Sequence, residues 1–244
     1  MSSAFSCRPV VGFIFDGDDT LWKTEQLYDM ARTRARQIVK GAGLDGARWE
    51  EIERSTDIKN VRTFGFSTER FPTSCVQAYE QLCREVGCDA EARVAARVQR
   101  AAHTAFLRKA PLVTRARKTL ERLRASGHKL ALLTKGNAEL QNKRIHASGL
   151  SDLFEVIAVV PEKNVEVIRE VVARLKIRPE QACMVGNSLR SDILPAIEAG
   201  LQAVWIDAHV WEYERNSPSA APAECAALST LADIPKVVST RVNG

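Results

Sequence analysis

Apolar residues along the chain fall into two regimes. Five short runs, VVGFIF (10–15), KLALLT (129–134), EVIAVV (155–160), ACMVGN (182–187) and LQAVWI (201–206), are continuous rather than alternating. Continuity over so few residues predicts β-strands covered on both faces, as in a parallel sheet. Between the later runs, apolar residues recur every three or four positions, which predicts helices. Val113, Ala116, Leu120 and Leu123 share one face before a stop at Gly127. Ile168, Val171, Val172 and Leu175 share another, and a third segment runs from Ile193 to Ala199 before Gly200. Strands alternating with helices predict an α/β fold, a doubly wound (Rossmann-like) parallel sheet whose ligands lie beyond the carboxyl ends of the strands.

One connection breaks the alternation. No strand-like run lies between the first and second runs, and a structureless loop of that length is not expected inside a compact domain. Three helical faces appear instead: Leu27, Met30, Ala31, Ala35 and Ile38; Cys75, Tyr79, Leu82, Cys83 and Val86; Val94, Val98, Ala101, Ala102 and Ala105. Residues 24–110 are therefore expected to form an all-helical insertion, with 1–23 and 111–244 making the α/β core. The tail ERNSPSAAPAEC reads as loop, and LSTLADIPKVV as a last short helix or strand.

Composition narrows the class without changing this picture. The 244 residues, 45% hydrophobic, suffice for one core plus an inserted subdomain. MSSAFSCRPV has no basic region followed by an apolar run, and no apolar stretch is long enough to span a bilayer, so a cytoplasmic protein without a membrane partner is expected. Cys7, Cys75, Cys83, Cys88, Cys183 and Cys225 contain no CxxC pair and read as reduced thiols. The net charge of +5 comes largely from arginines spread along amphipathic stretches such as ARTRARQIVK, a pattern of solvated helix faces that gives a general attraction for anionic substrates, and no Lys/Arg run interleaved with aromatics supports a nucleic-acid partner. His103, His128, His146 and His209 lack metal-ligand spacing, and Trp205, Trp211 and Tyr213 read as packing residues. The sequence leaves the oligomeric state open.

The chemistry concentrates at strand ends. In FDGDDTLW (15–22), Asp16, Asp18 and Asp19 follow the first strand. Two charges about 4 Å apart repel by roughly 4 kcal/mol at an effective dielectric near 20, so such a cluster needs a cation or a proton. Thr134, Lys135 and Gly136 follow the second strand, Lys163 the third, and Asn187 and Ser188 the fourth, with Asp192 close behind. A phosphomonoester dianion repels an attacking carboxylate, so positive charge around the phosphoryl group is required. On that logic Asp16 is the candidate nucleophile. Asp18 is the candidate proton shuttle, with its acidic neighbours favouring a proton on it, and Asp19 is a turn residue. Ser188, outside any GxSxG elbow, reads as a loop hydrogen-bonding residue.

FDGDDTLW resembles the first motif of the haloacid dehalogenase-like hydrolase superfamily, a strand ending in DxDx(T/V). LALLTKGN resembles the second motif, Lys163 in VVPEKN fits the third, and MVGNSLRSD fits the fourth, commonly GDxxxxD. The helical insertion resembles that of the helical-cap subgroup. The resemblance implies a Mg²⁺-dependent phosphatase that acts on a small phosphorylated metabolite through an aspartyl-phosphate on Asp16. It implies that Lys163 neutralises Asp16 and the phosphate, and that Thr134 and the backbone N–H groups of Lys135 and Gly136 hold phosphoryl oxygens. The metal is expected on Asp16, the carbonyl of Asp18, Asn187 and Asp192.

Asn187 departs from the family pattern, which has an acid there, and removes one negative charge from a hard-cation site. A catalytically silent, phosphate-binding or regulatory protein is the alternative reading. A dehalogenase would not need an acid at the position of Asp18, a phosphomutase would share the phosphatase residues, and no motif supports Lys59 as a Schiff-base lysine. In the insertion, VRTFGFSTERFPTSC supplies Arg62, Arg70, Phe64, Phe66 and Phe71 for selecting a leaving group, although packing accounts for them equally well.

Overall fold

The structure, a computed structural model, describes residues 9–207, Tyr213, Pro222 and 225–235. It divides into two units, Glu25–Lys109 and the chain on either side of it.

The outer unit is built on one parallel sheet. Its strands are β1 (Gly12–Phe15), β2 (Lys129–Lys135), β3 (Val156–Val160), β4 (Ala182–Gly186), β5 (Gln202–Ile206) and β6 (Cys225–Leu228), in the order β3-β2-β1-β4-β5-β6. β1 is central, with Phe15 level with Leu132 on one side and Val185 on the other. Phe13, Ile14, Phe15, Leu132 and Met184 are fully buried, as continuous apolar strands covered on both faces should be. The chain builds outward from β1 to β3, then returns to β4 on the opposite side of β1. Strand order therefore reverses between β1 and β4, which opens a crevice at their carboxyl ends. β6 extends the sheet within a tail that the sequence pattern assigned partly to loop; its CAAL segment is too short and too weakly apolar to announce itself.

Helices α5 (Ala116–Ala125) and α7 (Val165–Arg174) bury the faces expected of them, Ala116, Leu120 and Leu123 on the first and Ile168, Val171 and Val172 on the second. Gly127, at φ +84°, ends the α5 connection. Helix α6 (Ala138–Ser148) escaped the periodicity because its buried face is Gln141, Arg144, Ile145 and Ser148. Before α8 (Leu194–Glu198), residues Leu189–Ile193 form a wide turn in which the Ile193 N–H donates to the Ser188 carbonyl at 3.2 Å. Segments 21–23 and 111–113 are tied to each other: the Lys23 N–H donates to Pro111 at 2.8 Å and the Val113 N–H to Leu21 at 2.9 Å.

The inserted unit contains α1 (Glu25–Gly41), α2 (Gly46–Phe64), α3 (Arg70–Val86) and α4 (Ala92–His103) around a core of Ala31, Trp49, Phe71, Tyr79 and Val98. Three of these helices follow the apolar spacing, except that Val86 lies 57% exposed at the end of α3. The fourth, α2, was hidden because Glu53 and Asp57 sit on its buried face beside Trp49 and Ile52. Arg32 Nε donates to Glu53 at 2.7 Å and Arg70 Nε to Asp57 at 3.1 Å, which makes burial of both carboxylates tolerable. Among the described residues, no helix is long and apolar enough to cross a membrane.

Candidate active site

The crevice between β1 and β4 holds an ionic cluster. Lys163 Nζ lies 2.5 Å from Oδ1 of Asp16 and 2.6 Å from Oδ1 of Asp192, and all three side chains are buried. Burial works against the ammonium charge, but Asp16 and Asp192 outweigh it and hold Lys163 above the ordinary lysine value. Burial pushes the Asp16 carboxyl up from 3.8 to about 7, with Lys163 pulling it down and Asp192 pushing it further up. A lysine shared by two carboxylates leaves one negative charge uncompensated.

Asp192 arrives through the wide turn after β4. Its Oδ2 accepts the Ser188 N–H at 3.0 Å while Oδ1 faces Lys163. Glycine is required at 186, where a Cβ would overlap the Asp192 carboxylate. Asp192 was expected among the metal ligands; here it is also a charge partner of Lys163, as Asp16 is. Ser188 is the loop residue expected, its hydroxyl accepting the Ser191 N–H at 3.0 Å.

The loop after β1 separates the other two acids. A Cβ on Gly17 would overlap the Trp22 ring, so the chain turns there because residue 17 is glycine. Asp19 adopts the left-handed conformation, φ 60°, and its carboxylate accepts the Thr24 N–H at 2.9 Å and the Thr24 hydroxyl at 2.8 Å. It is a turn residue, as its position suggests. Asp18 points elsewhere. Oδ1 accepts Trp22 Nε1 at 2.7 Å, and Oδ2 accepts Gln141 Nε2 at 2.8 Å and Arg144 Nη1 at 2.9 Å. The crowding by acids expected around Asp18 is thus replaced by three donors. Sequence reasoning missed Gln141 and Arg144; the available signal was a polar pair three residues apart on a helix that follows the Thr134 strand end.

The expected phosphoryl-binding residues are dispersed in role. Thr134 is buried at the end of β2, near Gly17. Lys135 contributes a side chain rather than only an amide: its Nζ donates to Ser191 at 2.6 Å and stands 4.0 Å from Glu162. Gly136 is corrected, because its N–H donates to the Val160 carbonyl at 2.9 Å and is not available to a phosphate. Arg70 is also corrected, being buried against Asp57 inside the inserted unit, with its guanidinium 5.7 Å from the Phe66 ring centre. Phe71 is a core residue packed edge-on against Tyr28. Arg62 is exposed in the last turn of α2.

Asn187, 9% exposed, accepts the Thr20 hydroxyl at 3.2 Å through Oδ1, and its backbone carbonyl accepts Trp205 Nε1 at 2.9 Å. Trp205 therefore braces the backbone at the site. Trp211 and His209 lie outside the described residues, whereas Tyr213 stacks under Arg190 at 4.8 Å. No group of three or more His, Cys, Asp or Glu that could hold a metal occurs among the described residues. Asp16 and Asn187, both buried beside strand ends, bring one carboxylate and one amide oxygen donor, and with a backbone carbonyl such as that of Asp18 they make the mixed oxygen set that a hard cation accepts.

The model of one hydrolase family, haloacid dehalogenase-like hydrolase, matches residues 10–200. The chain is 31% identical over 202 residues to the glyceraldehyde 3-phosphate phosphatase of Methanopyrus kandleri, covering 79% of this chain and 82% of that protein. It is 32% identical over 105 residues to the phosphoserine phosphatase of Thermus thermophilus, covering 41% and 42%. A haloacid dehalogenase-like family hydrolase from Xanthomonas campestris superimposes with a TM-score of 0.76 at 25% identity, over 96% of this chain and 97% of that one.

Proposed function

Since the chain belongs to the haloacid dehalogenase-like hydrolases, we propose that it hydrolyses a small phosphomonoester metabolite with Asp16 as the nucleophile. Relatives named for glyceraldehyde 3-phosphate and phosphoserine support a phosphatase of small phosphate metabolites. The observation that carries the mechanism is Lys163 buried between Asp16 and Asp192. One carboxylate holds the ammonium in place while the other is aimed from the strand end, so the cation offsets charge where a phosphate dianion must approach.

In the first step an Asp16 oxygen bonds to phosphorus in line with the leaving oxygen, which takes a proton from Asp18 as its bond to phosphorus breaks. In the second, water attacks the aspartyl-phosphate, gives a proton back to Asp18 and releases phosphate and Asp16. Thr134 and Lys135 hold phosphoryl oxygens through hydroxyl and ammonium. Asp16, the Asp18 carbonyl, Asn187 and Asp192 would hold Mg²⁺, which when bound supplies charge neutralisation between nucleophile and substrate. Asn187, where the fourth motif that MVGNSLRSD resembles commonly has an acid, favours a second reading, a phosphate-binding protein without turnover.

Turnover of p-nitrophenyl phosphate and of a panel including glyceraldehyde 3-phosphate and phosphoserine, with and without Mg²⁺, separates the two readings. Hydrolysis that requires metal and disappears in Asp16→Asn is expected. Failure of the wild-type protein with every substrate at any metal concentration would establish the silent reading.

A further inference from the structure

An ionised carboxylate offers about four lone-pair positions, two on each oxygen. Among the described residues three are engaged on Asp18, and unevenly: Gln141 and Arg144 both donate to Oδ2, whereas Oδ1 receives Trp22. Both Oδ2 donors come from α6, three residues apart and therefore on one face. Gln141 is 2% exposed and Arg144 9%, positions where burying a polar side chain is costly unless it makes specific bonds. The orientation of Gln141 is itself fixed. Its amide nitrogen donates to the Lys135 carbonyl at 2.9 Å as well as to Asp18, which leaves Oε1 buried without a hydrogen-bond partner among the described residues. Burying that oxygen is unfavourable, a cost that holding the Asp18 carboxylate and the β2 end together offsets.

We propose that Gln141 and Arg144 are positioning residues that saturate Oδ2 of Asp18 and leave Oδ1 as the oxygen that exchanges a proton with the leaving group. The proposal rests on Asp18 being the proton shuttle of the reaction above. α6 delivers the pair because Asn137 caps it immediately after β2, accepting the Leu140 N–H at 2.9 Å. Phosphoryl grip and proton transfer are thereby set by one strand-to-helix junction. Trp22, the lone donor to Oδ1 among the described residues, leaves that oxygen one open position, and the proton delivered to the departing oxygen sits there.

Leaving-group dependence tests this, since kcat/KM covers steps only through release of the alcohol. p-Nitrophenolate departs without a proton, whereas the alkoxide of n-propyl phosphate needs one. In Arg144→Met and Gln141→Met, kcat/KM for n-propyl phosphate should fall about a hundredfold and that for p-nitrophenyl phosphate change less than about twofold. The variants should also show a burst of p-nitrophenolate, because hydrolysis of the aspartyl-phosphate needs Asp18 as base. Arg144→Lys, which keeps a donor, should recover part of the loss. Folding of each variant is checked by thermal unfolding. An active wild-type protein whose folded variants lose both substrates equally, or neither, overturns the positioning role. A wild-type protein inert toward both overturns the phosphatase reading itself.

Discussion

Lys163 carries one charge between two buried carboxylates, so its removal is not a neutral deletion. Lys163→Met would leave Asp16 and Asp192 facing each other without a cation, and breaking a buried pair from one side costs about 3–5 kcal/mol. A fall of that size in the unfolding free energy, read as a lower urea midpoint, with turnover lost, is the expected result; adding Asp192→Asn should restore part of the stability because it removes the like charge. A midpoint within error of the wild-type protein would show that the cluster is not held together by this ammonium. Candidate residues were legible in the sequence where a side chain follows a strand end directly, as Asp16 and Asn187 do, or closely, as Lys163 does. What each group faces was not. The Gly136 amide is consumed by a neighbouring strand and Arg70 by a carboxylate one helix away. Two of the Asp18 partners, Gln141 and Arg144, lie 123 and 126 residues further along the chain, a separation that no local pattern spans.

At the scale of elements, the first residue of α1 has a consequence for pH. Burial pushes the Glu25 carboxyl up from 4.5 to about 7, against the pull of Arg32, whose Nη1 lies 3.9 Å away. Asp29 and Asp57 reinforce the rise and Arg54 opposes it. The folded state therefore keeps a proton that the unfolded chain releases. This contribution is full below about pH 4.5 and lost as pH climbs through about 7, up to about 3 kcal/mol for a shift of this size. Glu25→Gln stays neutral throughout, so its melting temperature relative to the wild-type protein should rise between pH 5 and pH 8. A difference that stays constant over that range would mean that Glu25 titrates as an exposed acid. The same polar burial explains which elements the sequence showed. Five strands and most helices have apolar buried faces and were readable from spacing alone. Helices α2 and α6 turn Glu53, Asp57, Gln141 and Arg144 inward, so their polarity pattern resembles a solvated segment until the partners are seen.

At the scale of the molecule, the insertion begins and ends at neighbouring points of the α/β unit. The chain leaves after Thr24 and returns at Ala110, and on the α/β side the two crossing segments are bonded to each other. Trp22 bridges Leu112, the Lys23 N–H donates to Pro111, and Asp19 clamps Thr24 through its N–H and hydroxyl. None of these bonds needs a residue of the helical unit, which has its own core around Trp49, Phe71 and Tyr79. Closing a short loop between two points already held together costs little entropy, less than closing the long insertion does. Replacing Glu25–Lys109 by a short Gly/Ser loop should therefore leave an α/β unit that unfolds in one cooperative transition, with far-ultraviolet circular dichroism reporting its sheet and helices. Lys163→Met made in that shortened chain should lower its stability by the same amount as in the whole protein, because Asp16, Lys163 and Asp192 all belong to the α/β unit. A shortened chain without a cooperative transition would show that the helical unit is needed to fold the sheet, and that the paired crossing segments do not make the α/β unit independent.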